Sequence, residues 1–369
     1  MAVPLKILIA PLDWGLGHTT RCIPIVRYLL QEGHEVMVAA EGASARLLSE
    51  NFPGIPLLPL EGYRIRYSRN KRFFTFRILA QVPKILASIR REKKWLSQMQ
   101  SRYHFDLVIS DNRYGLHLHA VPCCILTHQL QIKSGQGKWA DDILRRLHYR
   151  LLNRFTACWI VDEPAPGGLS GELAHPAVLP PRAQYIGILS QFNIAAKATP
   201  VTENHILVLL SGPEPMRGQL EKLLLAQIRS LPQYTFEIVA GNPSGAVPCD
   251  LAEHITYHTY LGAAALAPLI GRAALVLCRS GYSTVMDLAV LDKKALLIPT
   301  PGQTEQEYLG QYLREKKYFS STTQENLQLA LEIPKALQAR LSPVEPLVAS
   351  HKIAEVLAPF LQTTLQPLP

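Results

Sequence analysis

The sequence predicts an α/β protein made of two doubly wound domains facing a cleft. Three observations carry that expectation. The chain has 369 residues, beyond the size at which a single hydrophobic core usually stops growing. Short apolar runs alternate with helical stretches, the pattern of a parallel sheet with crossover helices. The pattern also opens twice in the same way, at Leu5–Ala10 and again at His205–Leu210, each time with an apolar run that ends in a glycine-bearing turn and leads into a helix.

In the first half, β-branched and Leu-rich runs predict strands at Leu5–Ala10, His34–Ala40, Ile55–Leu60, Asp106–Ser110, Cys123–Thr127 and Cys158–Asp162. Helices are expected at Cys22–Leu30, Ala43–Glu50, Phe73–Gln100 and Asp141–Phe155, while residues 163–182, rich in proline and glycine, read as a loop. Periodicity lapses over 187–204. Beyond it come strands at His205–Leu210, Thr235–Ala240, Leu275–Cys278 and Ala295–Ile298, with helices at Met216–Ser230, Ala263–Ile270, Thr284–Leu291 and Glu305–Lys317. The apolar Val344–Leu361 segment would be a last helix packing back across the junction. The implied division is an N-terminal domain over 1–190, a C-terminal domain over 200–345 and a helix with tail over 346–369.

The composition, 48% hydrophobic and 18% charged, is that of a globular chain and excludes disordered, collagen-like and coiled-coil classes. The net charge of +9 is concentrated. Residues 61–103 hold 12 Lys and Arg against Glu61 and Glu92, and the remaining chain carries 26 basic and 27 acidic groups. That asymmetry points to a local anionic partner rather than a generally cationic protein. Six cysteines without a CxxC pair read as core thiols of a reducing compartment. The short apolar run at the N-terminus is too brief for a secretory signal, and no stretch is long enough to span a bilayer. A cytoplasmic location, with any membrane contact peripheral on the inner face, is the expectation.

Residues that can carry chemistry gather after strands, where open parallel sheets bind ligands. The first turn reads Asp13-Trp14-Gly15-Leu16-Gly17-His18. Its glycines let backbone approach a ligand, and the following helix start favours negative charge. A dinucleotide fingerprint would need glycine where Arg21 stands, which argues against a nicotinamide cofactor. His18 is suited to take a proton near neutral pH. In the second half, Ser211-Gly212-Pro213 forms the corresponding turn, and Arg217 offers a guanidinium to a phosphate. The densest constellation is Arg279-Ser280-Gly281-Tyr282-Ser283-Thr284, with Asp287 beyond it. Backbone N–H groups and hydroxyls suit a diphosphate there, and the carboxylate suits ribose hydroxyls. Gln306 and Glu307, in another loop entering a helix, can read sugar hydroxyls. Asp111, Asn112 and Arg113 follow one further strand and His128 another, and they would line the acceptor side.

Arg279-Ser280-Gly281-x-x-Thr284-x-x-Asp287, Gln306-Glu307 and Gly15-Leu16-Gly17-His18 resemble the family 28 glycosyltransferases, which include the peptidoglycan N-acetylglucosaminyltransferase and the galactolipid synthases. The resemblance implies the GT-B architecture of two Rossmann-like domains, with a UDP-sugar held mainly by the C-terminal domain and the acceptor by the N-terminal one. It implies that Asp287 binds ribose, Ser280 and Arg217 the phosphates, Gln306 and Glu307 the sugar, and the backbone at Tyr260-Leu261 the uracil. It also implies inverting transfer without a bound metal or other cofactor, and the sequence has no convincing DxD or His/Cys cluster. Three positions depart from the family pattern: Asp287 is a methylene shorter than the usual Glu, Glu307 replaces Gln, and Asp13-Trp14 stand in an otherwise Gly-rich loop. Trp14 is placed to stack on a sugar ring, and Asp13 to orient His18 or act as base itself.

The function expected is transfer of a hexose or N-acetylhexosamine from a UDP-sugar to a lipid-linked or glycan hydroxyl, with His18 as base. A UDP-sugar epimerase of the same fold, or a non-catalytic nucleotide-sugar or glycan-binding protein, are the alternatives. Within 61–103, Tyr63, Arg64, Arg66, Lys71, Arg72 and Phe73 interleave aromatic and cationic groups. Single-stranded nucleic acid suits such residues, but no nucleic-acid module accompanies them, and docking on an anionic membrane surface is the stronger expectation.

Overall fold

A computed structural model describes residues 3–63, 82–133, 137–164, 168–192, 200–344 and 349–364. These form two units. The first takes the described residues up to 191 and the C-terminal helix, and the second takes the described residues of 192–344.

The first unit is a parallel sheet of seven strands: β1 Lys6–Ala10, β2 Glu35–Ala39, β3 Leu57–Leu58, β4 Leu107–Asp111, β5 Cys123–Thr127, β6 Ala157–Ile160 and β7 Ala183–Tyr185, in the order β3-β2-β1-β4-β5-β6-β7. The chain runs outward from β1 to β3 and then crosses back to β4, so the strand order reverses between β1 and β4. Central strands are apolar on both faces, as a sheet covered on both sides requires. Ile7 to Ala10 and Cys124 to Leu126 are completely buried. Helices α1 Leu16–Gln31 and α2 Gly42–Asn51 pack together. Helices α3 Val82–Tyr103 and α4 Lys138–Leu152 cover one face of the sheet, where Leu96 and Leu152 join Leu8, Val108, Ile125 and Ile160 in one cluster.

The second unit repeats the plan with β8 Thr202–Leu209, β9 Thr235–Val239, β10 Ile255–His258, β11 Ala273–Cys278, β12 Ala295–Leu297 and β13 Ser320–Ser321, ordered β10-β9-β8-β11-β12-β13 and all parallel. Its reversal lies between β8 and β11. Helices α5 Met216–Ile228, α6 Ala263–Arg272, α7 Tyr282–Val290, α8 Thr304–Glu315 and α9 Leu329–Gln338 complete it. Leu220, Leu224 and Ile333 pack on Ile206, Val208, Leu275 and Leu277. Inside this sheet Glu237 is 5% exposed and is held by His205, His258 and Arg272.

Several boundaries differ from the sequence expectation. Helix α1 starts at Leu16, not Cys22, because Gly15, at φ 99° and ψ 166°, turns the chain into the helix in a conformation open essentially only to glycine. The helix expected from Phe73 is described from Val82 onward, and 64–81, with Arg64, Arg66, Lys71, Arg72 and Phe73, lies outside the described residues. The short edge strands β7, β10 and β13 carry too little apolar signal to be seen in sequence, and Pro334 masks α9. Cys249 is exposed in the β9–β10 connection, correcting the expectation of six core thiols, while the other five are buried.

The last helix, α10 Ala349–Thr364, packs against α1 in the first unit. Phe360 meets Trp159 edge-on at 5.4 Å, and Lys352 donates to Glu163, whose side chain is 2% exposed. Removing that cation strands a buried carboxylate. Lys352→Ala is expected to destabilise the first unit by about 1.5–3 kcal/mol, read as a lowered urea midpoint, with Lys352→Arg restoring most of the loss.

Candidate active site

In the first unit the chemistry collects where the strand order reverses, between the ends of β1 and β4. Because α1 starts at Leu16, His18 and Arg21 are helical residues three apart and therefore share one face. That face points at Asp111, the last residue of β4 and completely buried. Asp111 Oδ2 lies 2.9 Å from His18 Nδ1 and accepts from Arg21 Nε at 2.9 Å, while Arg21 Nη2 donates to Asp111 Oδ1. Arg21 Nη1 lies 2.9 Å from His128 Nδ1. Arg21 Nη2 also lies 2.9 Å from His18 Nδ1.

Burial alone would push the Asp111 carboxyl up, but the charges of Arg21 and His18 and their hydrogen bonds bring it below the ordinary value. Burial and the adjacent Arg21 charge lower His18 against the pull of Asp111, so the ring is neutral near pH 7. In the tautomer whose Nδ1 proton is directed at the ionised Asp111, rather than the one whose Nδ1 accepts from Arg21, Nε2 is left as an acceptor. The side chain retains 16% exposure, enough for an outside group to reach it. Such a ring, oriented by a carboxylate, can take a proton from a hydroxyl.

This geometry corrects several expectations. The carboxylate bonded to His18 is Asp111, whereas Asp13 accepts from Tyr63 N at 3.0 Å. Asp111, Asn112 and His128 are 0%, 8% and 5% exposed; they lie beneath the surface rather than lining an open face. In the loop after β1, Trp14 is 39% exposed and edge-on to Tyr63 at 6.2 Å. The loop rests on Arg113 and Glu92. Arg113 Nε donates to Glu92 Oε1 at 2.8 Å, and its Nη atoms donate to Pro11 O and Glu61 O. Glu92 in turn accepts from Tyr63 Oη and Gly115 N.

In the second unit, the turns after β8, β11 and β12 all lie at strand ends beside the reversal. Ser211 and Gly212 are exposed, with Gly212 at φ 98°. Arg279 is 1% exposed and donates to Ile298 O and Pro299 O at 3.1 Å and to Met216 O at 2.9 Å, joining three loops. Burial lowers its guanidinium to about 10. Ser280, fully buried, donates to Gln306 O. Arg217, 7% exposed, donates to Glu214, Glu221 and Ala240 O. Arg279 and Ser280 are thus internal braces rather than side chains presented to a phosphate, since each would have to abandon buried partners to reach one, and Arg217, though Glu214 is exposed, is likewise tied inward to Glu221 and Ala240 O. Gln306 Oε1 accepts from Thr300 N, with its Nε2 end toward Gly281, and Glu307 Oε1 accepts from Gly302 N. Gly281 caps α7, which places Ser283 and Thr284 in its first turn and the 8% exposed Asp287 one turn later. Leu261 is half-buried after β10. Among the described residues no group of three or more His, Cys, Asp and Glu is arranged to hold a metal.

Residues 220–355 match the glycosyltransferase family 28 C-terminal domain, and residues 5–136 match glycosyl transferase family 1. The chain is a glycosyltransferase whose C-terminal part is similar to the family 28 domain. The glycosyltransferase is 24% identical to an uncharacterized glycosyltransferase of Methanosarcina mazei, over 85% of this chain and 84% of that one. A second such protein, from Methanosarcina acetivorans, is also 24% identical, over 85% and 82%. Among solved structures, the calicheamicin glycosyltransferase CalG4 superposes with TM-score 0.67 at 14% identity, covering 100% of both chains. The spinosyn rhamnosyltransferase SpnG complexed with thymidine diphosphate does so with TM-score 0.65 at 15% identity, covering 98% and 100%. The fold is therefore GT-B, with two Rossmann-like domains.

Arg21 and Glu92 are absent from the site expected from sequence, and only Arg21 left a signal there, its spacing of three from His18; Arg113, which follows the same strand as Asp111 and Asn112, is buried as a brace rather than lining a cleft. Arg279→Ala in this glycosyltransferase removes a buried charge that satisfies three carbonyls, and a stability loss of about 3 kcal/mol is expected by thermal unfolding.

Proposed function

We propose that the protein transfers a hexose or N-acetylhexosamine from a UDP-sugar to a hydroxyl on a lipid-linked or glycan acceptor, with inversion. The observation that carries the reading is His18 held by buried Asp111 at the strand reversal of one unit, in a chain whose other unit matches a family 28 domain. In the step proposed, the acceptor oxygen attacks the anomeric carbon and its proton passes to His18 Nε2. The bond from that carbon to the diphosphate oxygen breaks, and UDP leaves with the electron pair. Asp111 fixes the ring and stabilises the imidazolium that forms, while Arg21 keeps Asp111 ionised. Backbone N–H groups at the start of α7, with Ser283 and Thr284, face the diphosphate, and Asp287 the ribose. No bound metal is invoked, in keeping with the family resemblance.

His18→Ala is expected to lower kcat roughly 10²–10⁴-fold with UDP affinity retained, and Asp111→Asn to fall in the same range. Unchanged transfer by His18→Ala would remove the assignment. The pH dependence has a definite sign. Because His18 is depressed below its ordinary value of 6.5, kcat/KM should hold down to about that pH and fall below it as the ring protonates. A midpoint above it would exclude His18 as the base.

The nucleotide is tested by calorimetric titration with UDP and TDP. UDP is expected to bind, and Asp287→Ala to weaken it roughly 10- to 100-fold. The thymidine diphosphate held by the SpnG neighbour supports the second choice, and tighter TDP binding would move the donor to a TDP-sugar. Release of nucleotide only when acceptor is present separates transfer from epimerisation.

A further inference from the structure

Helix α8 parts the two residues that the family resemblance assigns to the donor sugar. Gln306 bonds Thr300 N and ends toward Gly281 at the start of α7. Glu307 belongs to a different side of the helix, which it shares with Gln311 and Arg314 through spacings of four and three. That side lines a cavity of about 300 Å³, whose other walls are Pro299 and Pro301 after β12 and Thr322 and Gln324 after β13. The helix leans on these connections at Gly310. A Cβ there would lie 2.5 Å from Pro299 Cγ and 2.9 Å from Ser321 Oγ, so no larger residue fits, and the cavity begins at the next residues round the helix.

The lining combines donors and acceptors that need a partner of mixed character. Arg314 is exposed and makes no ion pair among the described residues. Gln324 has its Oε1 buried, with no hydrogen-bond partner among the described residues, and a buried acceptor of this kind calls for a donor. Glu307 Oε1 accepts from Gly302 N, and Glu325 adds a second carboxylate to the lining. Phosphate or another plain oxyanion accepts only, so it would satisfy Arg314 and leave Gln324 Oε1 unmet beside two carboxylates. An ammonium compound donates only and would face the Arg314 charge. Sugar hydroxyls do both, and the C–H face of a sugar ring suits the apolar rings of Pro299 and Pro301.

We propose that this cavity is a carbohydrate-binding site of the second unit, separate from the donor site, that takes a neutral sugar ring. Ring hydroxyls donate to Gln324 Oε1 and accept from Arg314, and the ring lies against the two prolines. The volume is at the low end for small-ligand sites, which suits a simple sugar rather than a whole nucleotide-sugar. The inference goes beyond the donor and acceptor reading and does not depend on which nucleotide the donor carries.

The test is saturation-transfer NMR and titration of the full chain with glucose, N-acetylglucosamine and cellobiose, each with and without saturating UDP. Inorganic phosphate serves as the acceptor-only control. At least one sugar is expected to bind equally in both conditions, without competition from phosphate. Arg314→Met and Gln324→Leu should each weaken that sugar roughly tenfold, with UDP affinity unchanged because neither residue lies at the start of α7. Gln324→Leu should leave the melting temperature unchanged or raise it, since Oε1 has no partner to lose. Failure of all three sugars to bind overturns the proposal. So does loss of the sugar when UDP is added, which would put it in the donor site, or its displacement by phosphate. Sugar affinity unaffected by both variants overturns it as well. Sugar binding without UDP binding would overturn the donor reading alone, and UDP binding without sugar binding the second site alone.

Discussion

Buried guanidinium groups that must not be left unpaired organise this protein. Arg21, Arg113 and Arg279 are each 1% exposed, and an unpaired charge in such surroundings costs several kcal/mol. Each lies beside the point where a sheet reverses its strand order; Arg21 pairs with Asp111 at the end of β4, while Arg113 and Arg279 also reach loop carbonyls. Arg113 takes Pro11 O, Glu61 O and Glu92, while Arg279 takes Met216 O, Ile298 O and Pro299 O. Loops at these positions have no sheet ladder of their own, and a fork of rigid donors gives them one arrangement.

The same requirement shapes the candidate chemistry. Arg21 is the cation that permits Asp111 to remain ionised in complete burial, and Asp111 is the acceptor that orients His18. Arg21 also works against a proton on His18 by its charge. One buried side chain therefore sets both the orientation and the protonation state of the ring beside it. The second unit uses its arginines differently. Arg217 and Arg279 stiffen the frame around the turn into α7.

Much of the fold was legible in the sequence because buried parallel strands are continuous apolar runs. Leu107–Asp111 and Cys123–Thr127 are visible for that reason, and so is the repeated opening at Leu5 and His205. The Arg279–Asp287 motif was legible too, being contiguous. Less legible was anything that depends on which way a polar side chain turns. Glu92 looks like one more surface charge in a basic helix, and Trp139, Ile143 and Leu147 look like the core stripe of α4. In the folded protein the first is buried and the other three are exposed.

The sequence by itself determined two α/β units of parallel strands and the resemblance to family 28. Period, composition and short motifs are properties of neighbouring residues. Only the tertiary structure decided that Asp111 rather than Asp13 holds His18, across 93 positions of chain. It likewise decided that Arg217 and Arg279 brace loops, and that α4 turns its apolar row outward. Such pairings depend on which strands become neighbours in the sheet and on the electrostatic need to satisfy every buried charge, and local sequence carries neither.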